Sequence, residues 1–251
     1  MARYFIEVFY KGTGYSGFQT QHNANTIQAE VEKAIEILKK EKIVLTGSSR
    51  TDSGVHALQN YFHFDSALDY SHEKAIYNLN AILPADIGVR KIIRVNDAAH
   101  CRFDAITREY KYFVYRTKNP FLKDRAFYYP YTLDILQLQA AAEIIKEYTD
   151  FTSFSKRNTQ VKTFNCKILE SNWKQEGDCL VYHVRANRFL RGMVRALTAT
   201  MLKTGRGKQT LGDFRAVIEA KDCTAASFSV PAHGLFLISV AYPTNYFNVA
   251  P

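Results

Sequence analysis

Residues 49–56 bring together residue types that can do chemistry. They include Arg50, Asp52 and Gly54 in a short, polar, tightly turning loop. A carboxylate without neighbouring metal ligands can act as a nucleophile or as a general base, and an adjacent cation keeps it ionised. An Asp near a glycine is also a common turn residue, so the loop alone leaves catalytic and purely structural interpretations open.

A basic segment without acidic residues is the second candidate feature. Between Asp178 and Asp213 the sequence contains no Asp or Glu, yet it contains seven cations, which are Arg185, Arg188, Arg191, Arg195, Lys203, Arg206 and Lys208. This segment holds most of the formal net charge of +9, which favours an anionic partner, nucleic acid ahead of a membrane surface. A basic surface that affects solubility alone is the alternative.

The spacing within this segment predicts a basic helix face. A helix over residues 188–203 places Arg188, Arg191 and Arg195 within an arc of about 60° at ~100° per residue. The opposite face is apolar and contains Phe189, Met193, Leu197 and Met201. Because the planar guanidinium group binds phosphate oxygens in pairs, we expect this face to bind an anion, with a solvated helix face as the alternative.

Aromatic residues are the third feature, at 14 % of the chain with 16 Tyr and 17 Phe. Tyr110 and Tyr112 alternate with polar residues in a segment that also contains Arg108 and Lys111. Tyrosines in basic strands can stack on unpaired bases. A half-buried strand with polar edges explains the same pattern without RNA.

Alternating strands and helices must position these residues. Residues 4–10 alternate with period two and predict a strand. Asn25 and Gln28 form a capping-box pattern that predicts the start of a helix. The predicted strands cover residues 4–10, 43–46, 58–64, 110–115, 162–174, 180–187 and 235–242, and the predicted helices cover 26–38, 72–83, 133–148, 188–203 and 211–221.

This order predicts an α+β fold with two similar sheet-plus-helix halves. Tight hairpin spacing favours antiparallel pairing, so we expect the halves to share a largely antiparallel sheet. We also expect an active-site cleft between the halves. Residues 1–104 form the N-terminal half with the Asp52 loop, and residues 105–251 form the C-terminal half with Tyr110 and the basic helix.

The remaining composition argues against several classes of protein. No apolar run approaches the ~18 residues that span a membrane, and Glu7 interrupts the region where a signal peptide needs its apolar core. The seven histidines and four cysteines show no zinc spacing, so we expect no structural metal and no metal ligands. We interpret the cysteines as reduced thiols in a cytoplasmic protein.

Several segments together resemble the tRNA pseudouridine synthase A family. Residues 50–57, with the sequence RTDSGVHA, resemble its signature loop. Further resembling segments follow in family order at residues 10–19, 80–87, 102–105, 108–110, 150–154, 189–195, 205–208 and 231–235. Phe18 stands where the family often has Trp. Because the segments extend over nearly the whole chain, their combination is specific, whereas the Arg-Thr-Asp triplet alone is not.

The resemblance implies an isomerase without a cofactor that converts uridine to pseudouridine at positions 38, 39 and 40 of the tRNA anticodon stem-loop. It implies that Asp52 is the nucleophile, and it leaves open whether Asp52 attacks the sugar or the base. Tyr110 corresponds to the tyrosine that stacks on the target uracil, Arg195 to the arginine that pairs with the catalytic carboxylate, and Arg50 to the residue that helps open the base stack.

The expected RNA contacts come from the basic segment and are Arg188, Arg191, Arg206 and Lys208. The resemblance also implies a homodimer whose two subunits both contact the tRNA. From the lack of a long apolar run we expect no membrane partner. A tRNA-binding protein without activity is one alternative, although it has no need of Asp52, Tyr110 and Arg195 together. A metal-dependent nuclease is another, but it needs clustered carboxylates that this loop lacks.

Overall fold

The chain divides into two structural units. The computed structural model describes residues 1–70, 72–157 and 161–247. The first unit contains Met1–Ile106 and the chain from Leu237 onward, and the second unit contains Thr107–Phe236.

Both units combine strands with helices. In chain order the strands are β1 (Ala2–Tyr10), β2 (Thr46–Gly47), β3 (His56–Ser66), β4 (Ile87–Val95), β5 (Thr107–Tyr115), β6 (Phe127–Tyr128), β7 (Ile168–Glu176), β8 (Cys179–Ala186) and β9 (Leu235–Ala241). The helices are α1 (Ile27–Lys39), α2 (Glu73–Ile82), α3 (Ile135–Ile144), α4 (Met193–Gly205) and α5 (Leu211–Glu219). The predicted α+β class is confirmed, with mostly antiparallel pairing.

Strand β1 lies at the centre of the first unit's sheet. It pairs antiparallel with β3 on one side, where Ile6 faces Phe62, and with β4 on the other, where Ile6 faces Ile92. Both faces of β1 are buried, because Tyr4 stacks with Phe64 on one face and Phe5 packs among aromatic rings on the other. This central position makes β1 the support for the loops at its end.

The predicted halves, 1–104 and 105–251, differ from these units in the last segment of the chain. Strand β9 lies beside β3. After it, the Tyr242 hydroxyl donates to the Cys101 carbonyl oxygen at 2.7 Å, and the Tyr242 ring lies 5.6 Å from that of Phe5. The Tyr242 hydrogen bond and aromatic packing therefore place the C-terminal segment in the first unit.

The second unit contains an antiparallel sheet in which β8 lies between β5 and β7. A two-residue turn at Gly177 and Asp178 joins β7 to β8, and Gly177 has a φ of 55°, which suits the tight turn of a hairpin. Short strand β6 pairs parallel with β5. Tyr110 faces Val184 and Tyr112 faces Tyr182 across β5 and β8.

Several local expectations need correction. The N-cap of α1 is Thr26, not Asn25, and its hydroxyl accepts the Ala29 amide at 3.3 Å. Gln28 does not complete a capping box, because its carboxamide group donates to the Leu45 carbonyl oxygen at 2.9 Å. Of the predicted strand 43–46, only Thr46 is in a strand.

Strand β4 was not predicted. It pairs with β1, but its register shifts opposite Glu7 and Val8, and this irregularity breaks the period-two pattern. Arg90 and Lys91 are both exposed at that point. Helix α2, in contrast, confirms the predicted helix that ends before Pro84.

The basic helix begins later than its periodicity predicts. Arg188 and Arg191 precede α4, and only Arg195 of the three predicted arginines lies within it. The preceding backbone pairs elsewhere, since the Asn187 amide donates to the Lys167 carbonyl oxygen at 3.1 Å. Gly192 then caps the helix with a φ of 76°. The predicted arc of three arginines on one helix face is therefore wrong.

The apolar side of α4 is confirmed, because Met193, Leu197 and Met201 are fully buried.

We expect Leu197→Ala to lower the free energy of unfolding by about 2–5 kcal/mol, since it leaves a cavity. Lys203→Ala, at an exposed position of the same helix, serves as the control and should change it by less than ~0.5 kcal/mol. Chemical denaturation measures both, and equal effects would contradict this packing.

Candidate active site

Asp52 occupies a tight turn between β2 and β3. The Val55 amide donates to the Asp52 carbonyl oxygen at 3.2 Å, and Gly54 adopts a φ of 78°. Asp52 is half-buried, whereas the neighbouring Arg50 is exposed. The turn therefore presents one carboxylate on a fixed backbone, with a cation two residues before it.

The Gly-rich loop after β1, which covers residues 12–18, packs directly on this turn. The Phe18 amide donates to the Thr51 carbonyl oxygen at 3.1 Å, and the Gly12 amide donates to His56 Nδ1 at 3.0 Å. That contact requires an unprotonated Nδ1 on His56. A Cβ atom at position 12 would lie 2.0 Å from the Val55 carbonyl oxygen. The glycine permits the two backbones to approach this closely.

A buried polar network lies beneath the turn and centres on Asn60 of β3, which is fully buried. The Ser48 hydroxyl donates to Asn60 Oδ1 at 2.7 Å, and Asn60 Nδ2 donates to the Ser49 carbonyl oxygen at 3.0 Å. Asn60 Nδ2 also donates to the Tyr10 hydroxyl at 3.2 Å, which lies 2.8 Å from Thr51 Oγ1. The network ties β1, β3 and the turn together.

Phe18 is part of the core that supports the turn. Its ring stacks on Phe62 with 4.3 Å between centroids and 8° between planes. Only 1 % of Phe18 is exposed, so its side chain packs inside the protein and is not available to stack on a base.

The predicted substrate residues of the second unit lie on β5 and α4. Tyr110 is 8 % exposed, and the ring of Phe189 meets it edge-on at 5.1 Å. In the first turn of α4, Nε and Nη2 of Arg195 donate to the Val230 carbonyl oxygen at 3.1 and 2.7 Å. The sequence analysis named Phe189 only as part of an apolar helix face, and it did not indicate the Val230 carbonyl that orients Arg195.

Tyr112 supports the same region from β5. Its hydroxyl donates to the Pro231 carbonyl oxygen at 2.7 Å, adjacent to the Val230 carbonyl that orients Arg195. Burial raises the pKa of Tyr112 far above its ordinary value, while the charge of Arg195 lowers it by less. Tyr112 therefore stays protonated and keeps donating.

The predicted RNA-binding residues form two groups at opposite ends of α4. Arg188 and Arg191 precede the helix, and Arg206 and Lys208 follow it. Since α4 has 13 residues, its ends lie ~20 Å apart. The guanidinium group of Arg206 lies 3.5 Å from the ring centroid of Tyr131. Only an extended anionic ligand is long enough to contact both groups of basic residues.

The structure places the predicted site residues in two units. Arg50 and Asp52 belong to the first unit, whereas Tyr110 and Arg195 belong to the second. That Tyr110 and Arg195 act on the same substrate as Asp52 stays a prediction of the family resemblance.

Comparison with known proteins decides the family. Residues 8–104 and 148–243 match the family described as tRNA pseudouridine synthase. The chain belongs to this family. The matched ranges contain Arg50, Asp52 and Arg195, whereas Tyr110 lies outside them. The resemblance inferred from the sequence motifs is thereby confirmed.

Relatives in the family match along almost their whole length. The tRNA pseudouridine synthase A of Parabacteroides distasonis is 46 % identical over 254 residues, which cover 99 % of each chain. That of Porphyromonas gingivalis is 43 % identical, with 98 % of this chain and 100 % of the relative covered. That of Bacillus subtilis is 38 % identical, with 94 % and 97 % covered.

A group of His and Cys side chains that the sequence spacing did not indicate lies elsewhere in the first unit. One ligand atom from each of His63, His100 and Cys101 lies within 4.8 Å of the others. Spacing did not indicate the group because His63 is far from the other two in the sequence.

In the described part of the chain, no helix is long and apolar enough to cross a membrane.

Two glycines of the Gly-rich loop test how the turn is held. We expect Gly12→Ala to lower the free energy of unfolding by about 1–3 kcal/mol, because the new methyl group meets the Val55 carbonyl. We also expect faster amide hydrogen exchange in residues 51–56. Gly14→Ala is the control, because its Cβ would meet no atom closer than Asp86 Oδ2 at 3.8 Å. Undisturbed exchange in Gly12→Ala would show that this contact does not hold the turn.

Proposed function

We propose that this protein is an isomerase that converts uridine to pseudouridine at positions 38, 39 and 40 of the tRNA anticodon stem-loop. The observation that carries the proposal is the half-buried Asp52 on a turn fixed from two sides, in a chain of the tRNA pseudouridine synthase family. Relatives over nearly the whole chain are named tRNA pseudouridine synthase A.

In the proposed reaction Asp52 is the nucleophile, and the bond that it forms to the substrate is broken again before the product leaves. The bond between uracil N1 and the ribose breaks, the uracil turns, and a bond forms between uracil C5 and the same ribose carbon. C5 loses a proton and N1 gains one, so nothing is oxidised and no group is added. The fixed turn supports this role, because a nucleophile must be held close to the reacting atom in one orientation.

Tyr110 and Arg195 act around the nucleophile in this proposal. Tyr110 stacks on the target uracil and takes part in removing the C5 proton, and its edge-on contact with Phe189 fixes the ring for stacking. By the family resemblance, Arg195 pairs with the Asp52 carboxylate and fixes its orientation. The Val230 carbonyl oxygen supports that role by orienting the guanidinium group.

The RNA is bound by cations outside the reacting centre. A uridine inside a duplex is unreachable, so the base must leave the stack, and the exposed Arg50 beside Asp52 is suited to help open it. Arg188 and Arg191 at one end of α4, and Arg206 and Lys208 at the other, are proposed to contact phosphates.

We also propose a cytoplasmic homodimer. The family resemblance supports the dimer, and a tRNA substrate supports the compartment. Cys101, Cys166, Cys179 and Cys223 are thiols, not disulfides, which is typical of a reducing compartment.

Asp52→Asn tests the chemistry directly. We expect pseudouridine formation in an unmodified tRNA transcript to fall by about 10³-fold or more, because an amide cannot replace the nucleophile. Affinity for tRNA should stay within a few-fold of the original. Carbodiimide mapping in single turnover measures product and position, and Asp97→Asn, at an exposed position, is the control. Substantial turnover by Asp52→Asn would refute the nucleophile, and no product from the unaltered protein would favour a binding protein without activity.

Arg188→Gln tests the proposed phosphate contacts. Removing one phosphate contact should weaken tRNA binding modestly and reduce the slope of log affinity against log salt by ~0.7–0.9. Arg215→Gln is the matched control, because Arg215 is bonded to Glu147. Binding titrations across salt concentrations measure both variants. An unchanged slope for Arg188→Gln would assign this arginine a purely structural role.

A further inference from the structure

A tyrosine and a carboxylate that the proposed function does not use meet beside the Gly-rich loop of the first unit. The Tyr15 hydroxyl donates to Asp86 Oδ1 at 2.5 Å. Only 5 % of Tyr15 is exposed, and Asp86, the last residue before β4, is half-buried. The hydrogen bond therefore joins the middle of the loop to the start of a strand of the sheet.

Asp86 holds both the start and the middle of this loop. Its main-chain carbonyl oxygen accepts the amide of Lys11, the residue before the loop, at 2.9 Å, while its side chain accepts the Tyr15 hydroxyl. Asp86 is itself fixed, because the next residue, Ile87, pairs with Tyr10 of β1. The loop is thus attached to the sheet at two points through one residue.

The same loop contacts the chain on both sides of the proposed nucleophile. The hydroxyl of Ser53, the residue after Asp52, donates to the Tyr15 carbonyl oxygen at 3.0 Å. The backbone of Gly17 also lies against the turn, since a Cβ atom there would meet the Thr51 carbonyl oxygen at 3.1 Å and the Ser53 nitrogen at 3.4 Å. The main chain of Tyr15 is therefore bonded to the turn, whereas its side chain is bonded to a residue outside it.

The Tyr15 hydroxyl is a lasting hydrogen-bond donor. Burial, followed by the hydrogen bond to the Asp86 carboxylate, raises the pKa of Tyr15 far above its ordinary value, so the hydroxyl keeps its proton. A hydroxyl that donates to a carboxylate forms a stronger hydrogen bond than one that donates to a neutral group. These properties suit the pair to holding a loop in one position, not to exchanging protons with a substrate.

We propose that Tyr15 and Asp86 are positioning residues for the isomerisation, and that they hold the Asp52 carboxylate in its reactive orientation through the Gly-rich loop. This inference rests on the proposed function, in which Asp52 is the nucleophile. A reacting group that is displaced by ~1 Å can lose about 10²-fold in rate, whereas phosphate contacts made by other residues do not depend on that displacement. Loss of the hydrogen bond should therefore slow the chemical step and leave the affinity for tRNA unchanged.

Tyr15→Phe tests the proposal, because it removes the hydroxyl and keeps the ring. We expect the single-turnover rate of pseudouridine formation at saturating protein to fall by about 10-fold or more, with the dissociation constant for tRNA within ~2-fold of the original. Carbodiimide mapping measures the rate, and binding titrations measure the affinity. A folded Tyr15→Phe variant that reacts at the original rate would overturn the proposal.

Tyr70→Phe is the matched control in the same unit. The Tyr70 hydroxyl donates to Glu41 Oε2 at 2.8 Å, and the side chain is fully buried. The Tyr70 ring packs on Tyr4, near the end of β1 opposite the loop. This variant should lower the unfolding temperature much as Tyr15→Phe does, but it should leave the rate within ~2-fold of the original. Equal rate losses in the two variants would show that lower stability, not positioning, slows the reaction, and would overturn the proposal.

Substitutions of Asp86 test the acceptor. Asp86→Asn keeps an oxygen that accepts the Tyr15 hydroxyl and should retain the rate within about 3-fold, whereas Asp86→Ala should lose as much as Tyr15→Phe. The double variant with Tyr15→Phe and Asp86→Ala should be no slower than either single variant, because both changes remove the same hydrogen bond. Equal losses in Asp86→Asn and Asp86→Ala, or additive losses in the double variant, would contradict the assignment.

Amide hydrogen exchange reports on the turn independently of activity. Tyr15→Phe should speed exchange in residues 51–56, and Tyr70→Phe should not. If the original protein forms pseudouridine but Tyr15→Phe changes neither rate nor exchange, only the present inference fails. If the original protein forms none, the proposed function fails, and faster exchange in Tyr15→Phe would still show that the pair holds the turn.

Ser53→Ala keeps the test valid if Tyr15→Phe does not fold. Ser53 lies at an exposed position, and the variant removes the hydrogen bond that joins the turn to the Tyr15 carbonyl oxygen. We expect the single-turnover rate to fall by about 3-fold or more, with unchanged affinity for tRNA. An unchanged rate in Ser53→Ala would then overturn the proposal.

Discussion

The close approach of two backbones is the constraint on which the candidate site depends. Gly12 lies so near the Val55 carbonyl that no larger residue fits without a shift of one chain. The adjoining amide of Gly12 reaches His56, and Phe18 reaches Thr51. The turn that presents Asp52 is thus held by two amides of the preceding loop, one bonded to a main-chain carbonyl oxygen and one to the His56 ring, and the glycine at position 12 permits this close approach.

The buried polar network around Asn60 restricts the conformation of the Asp52 turn further. Asn60 is fully buried, and its carboxamide group bonds to Ser48, Ser49 and Tyr10. A buried amide without partners costs about 1–3 kcal/mol, so any alternative turn conformation that breaks these bonds is disfavoured. Apolar packing of Phe18 on Phe62 stabilises the same region but specifies its conformation less sharply.

The sequence predicted the elements that depend on a regular spacing of residues or on a short motif. Strand β1 and helix α2 followed from periodicity and from Pro84, and the Asp52 loop followed from its motif. The role of Asn60 was not predictable, because its partners come from distant segments. The start of α4 was misplaced, since helical spacing at Arg188 cannot show that the backbone of Asn187 pairs with Lys167. Hydrogen bonds between separate segments determine both the role of Asn60 and the start of α4.

The return of β9 to the first unit has a consequence for biosynthesis. The second unit is one continuous stretch of chain, whereas the first needs both its N-terminal strands and the segment from Leu237 onward. A ribosome therefore releases every residue of the second unit before it supplies the strand that completes the first. We expect β3, which follows the Asp52 turn, to gain β9 as its neighbour only after the second unit has been synthesised, so that the first unit is completed late in the life of the nascent chain.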